Sequence, residues 1–238
     1  MLDRRTFIAL IGTAAIGSRL TWAAGKMVAS LDHLLLGCND LDAGIAFVEQ
    51  HTGVRAAIGG VHPGRGTRNA LLSLGERRYL EIIAPDPKQT KIESFALDLL
   101  NQIKGLKSPQ LVEWAAHVSD MNAYVRHLRA AGFKLEGPTP GQRKRPDGKT
   151  LHWKTLGLEE NMNGLLPFFI QWSADSVHPS KDAPSGCSLV SFALEDKDPN
   201  ALRLLLQQLD LKADVRKGEK PRLVANIKGP KGEMELSS

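Results

Sequence analysis

Apolar positions along this chain switch between two spacings, and the order of the switches repeats. The first stretch, Leu31 to Cys38, is a near-continuous apolar run of strand length. It leads into Leu41–Gln50, whose apolar residues at 41, 45 and 48 keep helical spacing, with Asp40 as a plausible N-cap and Thr52-Gly53 as the stop. Strands are predicted next at 54–58, 69–74 and 79–84, where Pro85-Asp86-Pro87 ends the last. The plan then recurs. Leu111–Val118 reads as a strand, Ser119 or Asp120 caps a helix from Met121 to Ala131, and Gly132 closes it. Strands follow near 133–136, 150–156 and 166–172. A third copy runs from a strand at 188–194 through a Leu-rich helix at 200–209 to strands at 222–227 and 233–236. An extra helix is expected over 92–103, and 173–186, rich in Ser, Pro and Asp, reads as a linker.

A strand-helix-strand-strand-strand unit cannot cover its own sheet, so such units pair. The expected fold is therefore α+β: two βαβββ modules over residues 28–175 closing a half-barrel, with a third βαββ module at 187–238. With 238 residues the chain can bury a sizeable core. Hydrophobic residues at 42% and charged residues at 24% are ordinary for a soluble globular protein.

The first 24 residues read as an address. Asp3-Arg4-Arg5-Thr6-Phe7-Ile8 opens a short Gly- and Thr-diluted apolar run, and Arg19 follows it, a pattern that resembles a twin-arginine export signal. An ordinary secretory signal or an uncleaved anchor stays open as the alternative. Export implies a periplasmic or secreted protein and the twin-arginine export machinery as a partner. The run is too short for a permanent membrane span. Removing residues through Ala24 takes away three Arg and one Asp, so a formal charge of +5 becomes +3. That mild balance, with only 5% aromatic residues, argues against nucleic acid as a partner. Cys38 and Cys187 are the only cysteines and share no metal-binding spacing; they could pair after export or remain two buried thiols.

Chemistry concentrates in the first module. His33 and Glu81 interrupt two of the most apolar strands, and a buried carboxylate is costly unless paired or metal-bound. Between them lies His62-Pro63-Gly64-Arg65-Gly66-Thr67-Arg68-Asn69. Arg65, Arg68 and Asn69 could hold an anionic or carbonyl substrate, since a guanidinium fork matches a carboxylate; the alternative is a structural hairpin with its arginines paired to acids. Glu81 could equally form a salt bridge to Arg68, Arg77 or Arg78, and His33 could be a core histidine. Arg143-Lys144-Arg145 beside Pro146-Asp147-Gly148 reads as a solvated hairpin tip. Trp153 and Trp172 could line an apolar pocket or pack between sheet and helix, and His117 shares a face with Glu113 and could be a base.

The runs Leu31-Asp32-His33-Leu34, Asn39-Asp40-Leu41-Asp42, His62 to Asn69 and Tyr79-Leu80-Glu81 resemble the vicinal oxygen chelate superfamily, and within it the glyoxalase-like domain proteins. Pro146-Asp147-Gly148 with Trp153, and Pro167 to Trp172, extend the resemblance over the mature chain. It implies paired βαβββ modules, a small oxygen-bearing substrate, and a divalent metal held by residues of the first and last strands of each module. The implied metal ligands are His33 and Glu81, with Glu113 at the position in the second module that matches His33. Ile170 falls opposite Glu81, and Gln171 is one residue out of phase. In the third module Leu189 replaces the His. Glu235 falls on the other ligand place, although Glu233 on the same face points to a solvated edge. The resemblance implies a lyase, isomerase or dioxygenase; a metal-free binding or sequestration protein on the same modules is the other reading.

Overall fold

The computed structural model describes residues 29–145 and 147–238; the export segment expected at 1–24 lies outside them. The first module comprises β1 (Ser30–Gly37), α1 (Leu41–Thr52), β2 (Ala57–His62), β3 (Thr67–Ser73) and β4 (Tyr79–Pro85). The extra helix follows as a 3-10 turn at Ser94–Ala96 and α2 (Leu97–Lys104). The second module is β5 (Gln110–His117), α3 (Met121–Ala130), β6 (Leu135–Lys144), β7 (Thr150–Leu158) and β8 (Phe168–Trp172). Within the linker sits one helical turn, α4 (Pro179–Asp182). The C-terminal unit is β9 (Ser188–Asp196), α5 (Pro199–Gln208), β10 (Asp214–Lys217), β11 (Arg222–Gly229) and β12 (Gly232–Ser237).

Both helices of the paired modules start as their sequences dictate. Asp40 and Asp120 each accept the backbone N–H three residues on, from Ala43 at 2.8 Å and Ala123 at 2.9 Å. Gly53 ends α1 in the left-handed conformation, donating to the Glu49 carbonyl.

Eight strands form one sheet in the order β2-β3-β4-β1-β5-β8-β7-β6. Each module contributes four strands in the same internal order, and β1 joins β5 antiparallel to make the seam. The far edges approach one another. A Cβ on Gly60 of β2 would meet the Lys144 carbonyl of β6, and Arg143 of β6 donates to the Gly59 carbonyl of β2. The sheet thus curls into a half-barrel with a concave face. Arg143 is a correction to the sequence reading: it is 4% exposed, a clasp between module edges and not part of a solvated tip.

The C-terminal unit keeps the expected element order with one strand more, β10. Its sheet is separate, in the order β10-β9-β11-β12, with β9 parallel to β10. Glu233 and Glu235 are exposed on β12, the solvated edge anticipated from their spacing.

Alternation sorts the sheet's two faces. Leu34, Leu36, Ala70, Leu72, Leu80 and Ile82 pack on the convex side with Leu41, Ile45 and Val48 of α1, and the same core reaches Leu194, Ile227 and Leu236 of the C-terminal sheet. Each such fully buried Leu or Ile contributes roughly 1.5–3 kcal/mol. On the concave side Leu35, Ile83 and Val112 meet Ile103 of α2. That helix covers one end of the face. The linker covers the other, where Ser73 Oγ donates to the Ser180 carbonyl at 2.8 Å and Ser73 N to the Pro184 carbonyl at 2.9 Å. Among the described residues no helix is long and apolar enough to cross a membrane.

Candidate functional site

A bulge sets the site's first residues. Leu31 pairs with Ala116 and His33 with Ala115, so Asp32 is the extra residue on β1. The phase of the strand shifts there. Leu31 packs toward the convex core, while His33 and Leu35 face the concave side. Strict alternation along β1 would put Leu31 on the face of His33, and the bulge moves it to the other. The bulge also lets Asp32, fully buried, turn back to His33: His33 Nδ1 lies 2.7 Å from Asp32 Oδ1.

From that anchor the His33 ring is held on three sides. It stacks on Tyr79 at 4.4 Å between centroids, meets Phe168 edge-on at 5.6 Å, and brings Nε2 to 3.4 Å from Glu81 Oε2. Glu81 Oε1 accepts from Asn69 Nδ2 at 2.7 Å and lies 3.5 Å from His62 Nε2. Asn69 Nδ2 also reaches His62 Nε2 at 3.2 Å. The amide is the donor there, so that ring nitrogen keeps its lone pair and His62 donates through Nδ1 to Thr67 Oγ1 at 2.9 Å. Among the described residues Asn69 Oδ1 is buried without a hydrogen-bond partner, and it packs on Gly59, where any Cβ would collide with it.

The electrostatics follow from burial and these partners. Burial pushes His62 down to about 4, against the pull of Glu81, so the ring is neutral at pH 7. Burial alone would raise Glu81, but His62, His33, the Asn69 amide and Arg143 outweigh it and hold the carboxyl below its ordinary value. Asp32 behaves likewise: burial is outweighed by the hydrogen bonds of His178 and His33, and its carboxyl is held far below the usual range. Glu113 is the opposite case. Burial, reinforced by the charge of Glu81, pushes it up to about 7 against Arg65 and His33. Among the described residues its carboxyl makes no side-chain hydrogen bond or ion pair.

The residues expected from sequence separate into two groups. His33, Glu81, Asn69 and Glu113 share the concave face. Arg65 belongs with them electrostatically: Glu81 and Glu113 both favour its charge, against the burial that disfavours it, and its guanidinium lies over Phe95 at 5.2 Å. Trp153 pairs across the sheet with Trp172, and their rings lie 5.4 Å apart, so both indoles line the concave side. Arg68 does not join them. It lies one residue from Asn69 and so on the opposite face, where its charge acts on the Cys38 thiol. Gln171, also convex, accepts from Met121 N and donates to the Ser119 carbonyl at the start of α3. His117 is half-buried, 3.9 Å from Asp32 Oδ2. Cys38 and Cys187 are free buried thiols.

Sequence reasoning passes over three members of the site. His62 stands in the loop motif, and Asp32 adjoins His33 in an apolar strand; both were visible signals. His178, whose Nε2 lies 3.2 Å from Asp32 Oδ2, comes from the linker and leaves no pattern.

The metal implied by the resemblance can be tested on the donors. Glu81 spends Oε1 on the Asn69 amide, while Asp32 at His33 Nδ1 leaves Nε2 as the ring nitrogen that faces Glu81. Among the described residues no three His, Cys, Asp or Glu side chains group as a metal ion requires. His33, Glu81 and Glu113 share a face without forming a three-ligand centre, so the set does not fit.

A half-barrel of paired βαβββ modules, with polar residues from its first and fourth strands converging on the concave side, is the architecture of the vicinal oxygen chelate superfamily. The chain belongs to the glyoxalase-like domain family, whose sequence profile matches residues 31–209. A structure described as a hypothetical protein from Staphylococcus aureus shares the fold, with a TM-score of 0.61 and 16% identity over 88% of this chain and 85% of that one. Methylmalonyl-CoA epimerase from Mycobacterium tuberculosis is similar at a TM-score of 0.41 and 23% identity, over 63% of this chain and 90% of its own. A methylmalonyl-CoA epimerase in complex with methylmalonyl-CoA gives a TM-score of 0.45 and 19% identity, over 63% and 98%. A search of curated proteins finds no match.

Proposed function

We propose that the protein is a glyoxalase-like enzyme that moves a proton at a carbon beside a carbonyl of a small oxygen-bearing substrate. One observation carries this reading. Two carboxylates face one concavity, Glu81 with the Asn69 amide and two imidazoles as partners and Glu113, among the described residues, with no side-chain hydrogen bond or ion pair. Glu81 is thereby a fixed charge, whereas Glu113 is free to exchange a proton.

In the proposed reaction Glu113, ionised in part near neutral pH, accepts the proton from the substrate carbon. Electron density moves onto the carbonyl oxygen, and the Arg65 guanidinium stabilises the resulting enolate. Returning the proton to a different carbon or face completes an isomerisation; expelling a neighbouring group completes an elimination. Phe95, exposed beneath Arg65, supplies an apolar surface for the substrate, while Trp153 and Trp172 lie toward the linker. The donors at the family's metal positions do not fit a metal centre, so the proton transfer is derived from the chain's own groups.

The test is exchange of carbon-bound hydrogen in D2O, followed by NMR for methylglyoxal, pyruvate and hydroxyacetone, with and without a chelator. The native protein is expected to accelerate exchange of at least one compound. Glu113→Gln is expected to lose about 10²–10⁴-fold of that acceleration, the usual contribution of a positioned acid or base. Binding without exchange would establish a binding or sequestration protein instead. Loss of exchange on chelation would establish a metal-dependent enzyme and overturn the metal-free step.

The N-terminal pattern supports export to the periplasm or beyond through the twin-arginine machinery, and we propose that location for the mature protein.

A further inference from the structure

Asp32 is a buried carboxylate with donors from three parts of the chain. His33 Nδ1 on β1 lies 2.7 Å from Oδ1, and Trp172 Nε1 on β8 donates to Oδ2 at 3.2 Å. The third donor comes from the linker, outside both paired modules. His178 Nε2 lies 3.2 Å from Oδ2, and the residue is 5% exposed. Its tautomer is set locally. The backbone N–H of Ser180 donates to His178 Nδ1 at 3.2 Å, and Ser180 Oγ lies 2.8 Å from the same atom. With Nδ1 accepting, a neutral ring carries its proton on Nε2 and donates it to Asp32. The ring is also packed edge-on against Tyr79 and Trp172, each at 5.6 Å between centroids. Tyr79 in turn stacks on His33.

We propose that His178 is a positioning residue of the site: it holds Asp32, and through Asp32 it fixes the orientation of the His33 ring, whose Nδ1 meets Asp32 and whose Nε2 meets Glu81. The physical reason is the cost of burying a carboxylate. Asp32 is stripped of water, and each neutral donor it loses raises the free energy of its charged form. An Asp32 carboxylate short of one donor is held less firmly in place, and the His33 ring it anchors is then free to rotate. The segment that joins the C-terminal unit to the half-barrel thus completes the site, rather than merely tethering a domain. The kinetic part of this inference rests on the proton-transfer reading; the structural part does not.

The experiment compares His178→Phe, which keeps an aromatic ring between Tyr79 and Trp172 without a donor, with His178→Gln, which restores an N–H. Histidine-labelled 15N NMR reads His33 directly, its signals assigned by their loss in His33→Gln. The native protein is expected to show a single set of His33 ring signals, and His178→Phe a broadened or doubled set. In the exchange assay His178→Phe is expected to lower kcat about tenfold or more, the scale of one hydrogen bond to a charged group, with KM within about twofold. His178→Gln should recover most of both signals. An unchanged His33 spectrum in His178→Phe overturns the proposal, and so does a changed spectrum with unchanged kcat. If the native protein exchanges no compound, the functional reading fails while the His33 spectrum still decides the role of His178.

Discussion

Replacing Glu113 by Gln should stabilise the protein, and more so as pH rises. Glu113 is displaced from an ordinary value of 4.5 to about 7 by burial and by the neighbouring charge of Glu81. A carboxyl raised in the folded state favours folding fully below its unfolded value, and that contribution is lost as pH climbs through the folded one. The displacement corresponds to about 3 kcal/mol between the two protonation states. Water reaching this half-buried side chain screens part of it, leaving roughly 2 kcal/mol at pH 8 to 9. Gln reproduces the neutral form and removes the cost of ionisation. Urea denaturation of native protein and Glu113→Gln, with chelator present, should therefore give similar stabilities near pH 4.5. At pH 8.5 the variant should lead by roughly 2 kcal/mol. A variant that is neutral at both pH values, or whose advantage shrinks with pH, would refute the claim that Glu113 is held protonated by its surroundings. Paired with loss of proton exchange, the expected gain would mark Glu113 as a residue kept at the expense of stability.

Two further outcomes are expected. Asn69→Leu removes the amide that donates to Glu81 at 2.7 Å, leaving a buried carboxylate short of a donor; urea midpoints at pH 7 should show a loss of about 1.5–3 kcal/mol. Changing Arg4 and Arg5 to Lys should leave the precursor in the cytoplasm of a bacterial host with a twin-arginine system, read by fractionation, and mature protein in the periplasm would exclude that route.

What the sequence makes legible is what repeats or alternates. Leu31–Cys38 and Leu111–Val118, each followed by an Asp-capped amphipathic helix, announce two copies of one module, and two such modules do share a sheet. His33, Glu81 and Asn69 stand out as polar residues at inward positions, and they converge. The failures are where one residue breaks a period. The bulge at Asp32 shifts the face of Leu31, because an unpaired residue resets alternation and nothing in Leu31-Asp32-His33 encodes it. Arg68 stands beside Asn69 in sequence and across the sheet from it in space, the ordinary result of a two-residue period. Arg143 resembles a surface charge because its partner, the Gly59 carbonyl, belongs to a strand more than 80 residues away. The third unit shows that element order does not fix pairing. Its β9 lies beside β10, whereas β1 and β5 pair in parallel with the last strands of their modules.

The distribution of partners along the concave face separates holding from reacting. Toward the linker, Asp32, His33, His178 and Trp172 are joined by direct hydrogen bonds, and Tyr79 seals the rings between them. Such a network leaves a ligand little to bind without first breaking a buried bond, and its value lies in rigidity. Toward α2 the pattern reverses. Glu113 lacks a partner, the Arg65 guanidinium makes no hydrogen bond or ion pair among the described residues, and Phe95 beneath it is 60% exposed. A carbonyl compound gains most where a proton acceptor and a cation are both unspent, and only the end near α2 offers both. Glu81 lies between the two regions and connects them. Its charge is fixed by Asn69 and the rings on one side, and it acts on Glu113 and Arg65 on the other. Preorganisation at one end thus sets the proton affinity of the group at the other, which is how a buried network with no free valence can still serve a reaction.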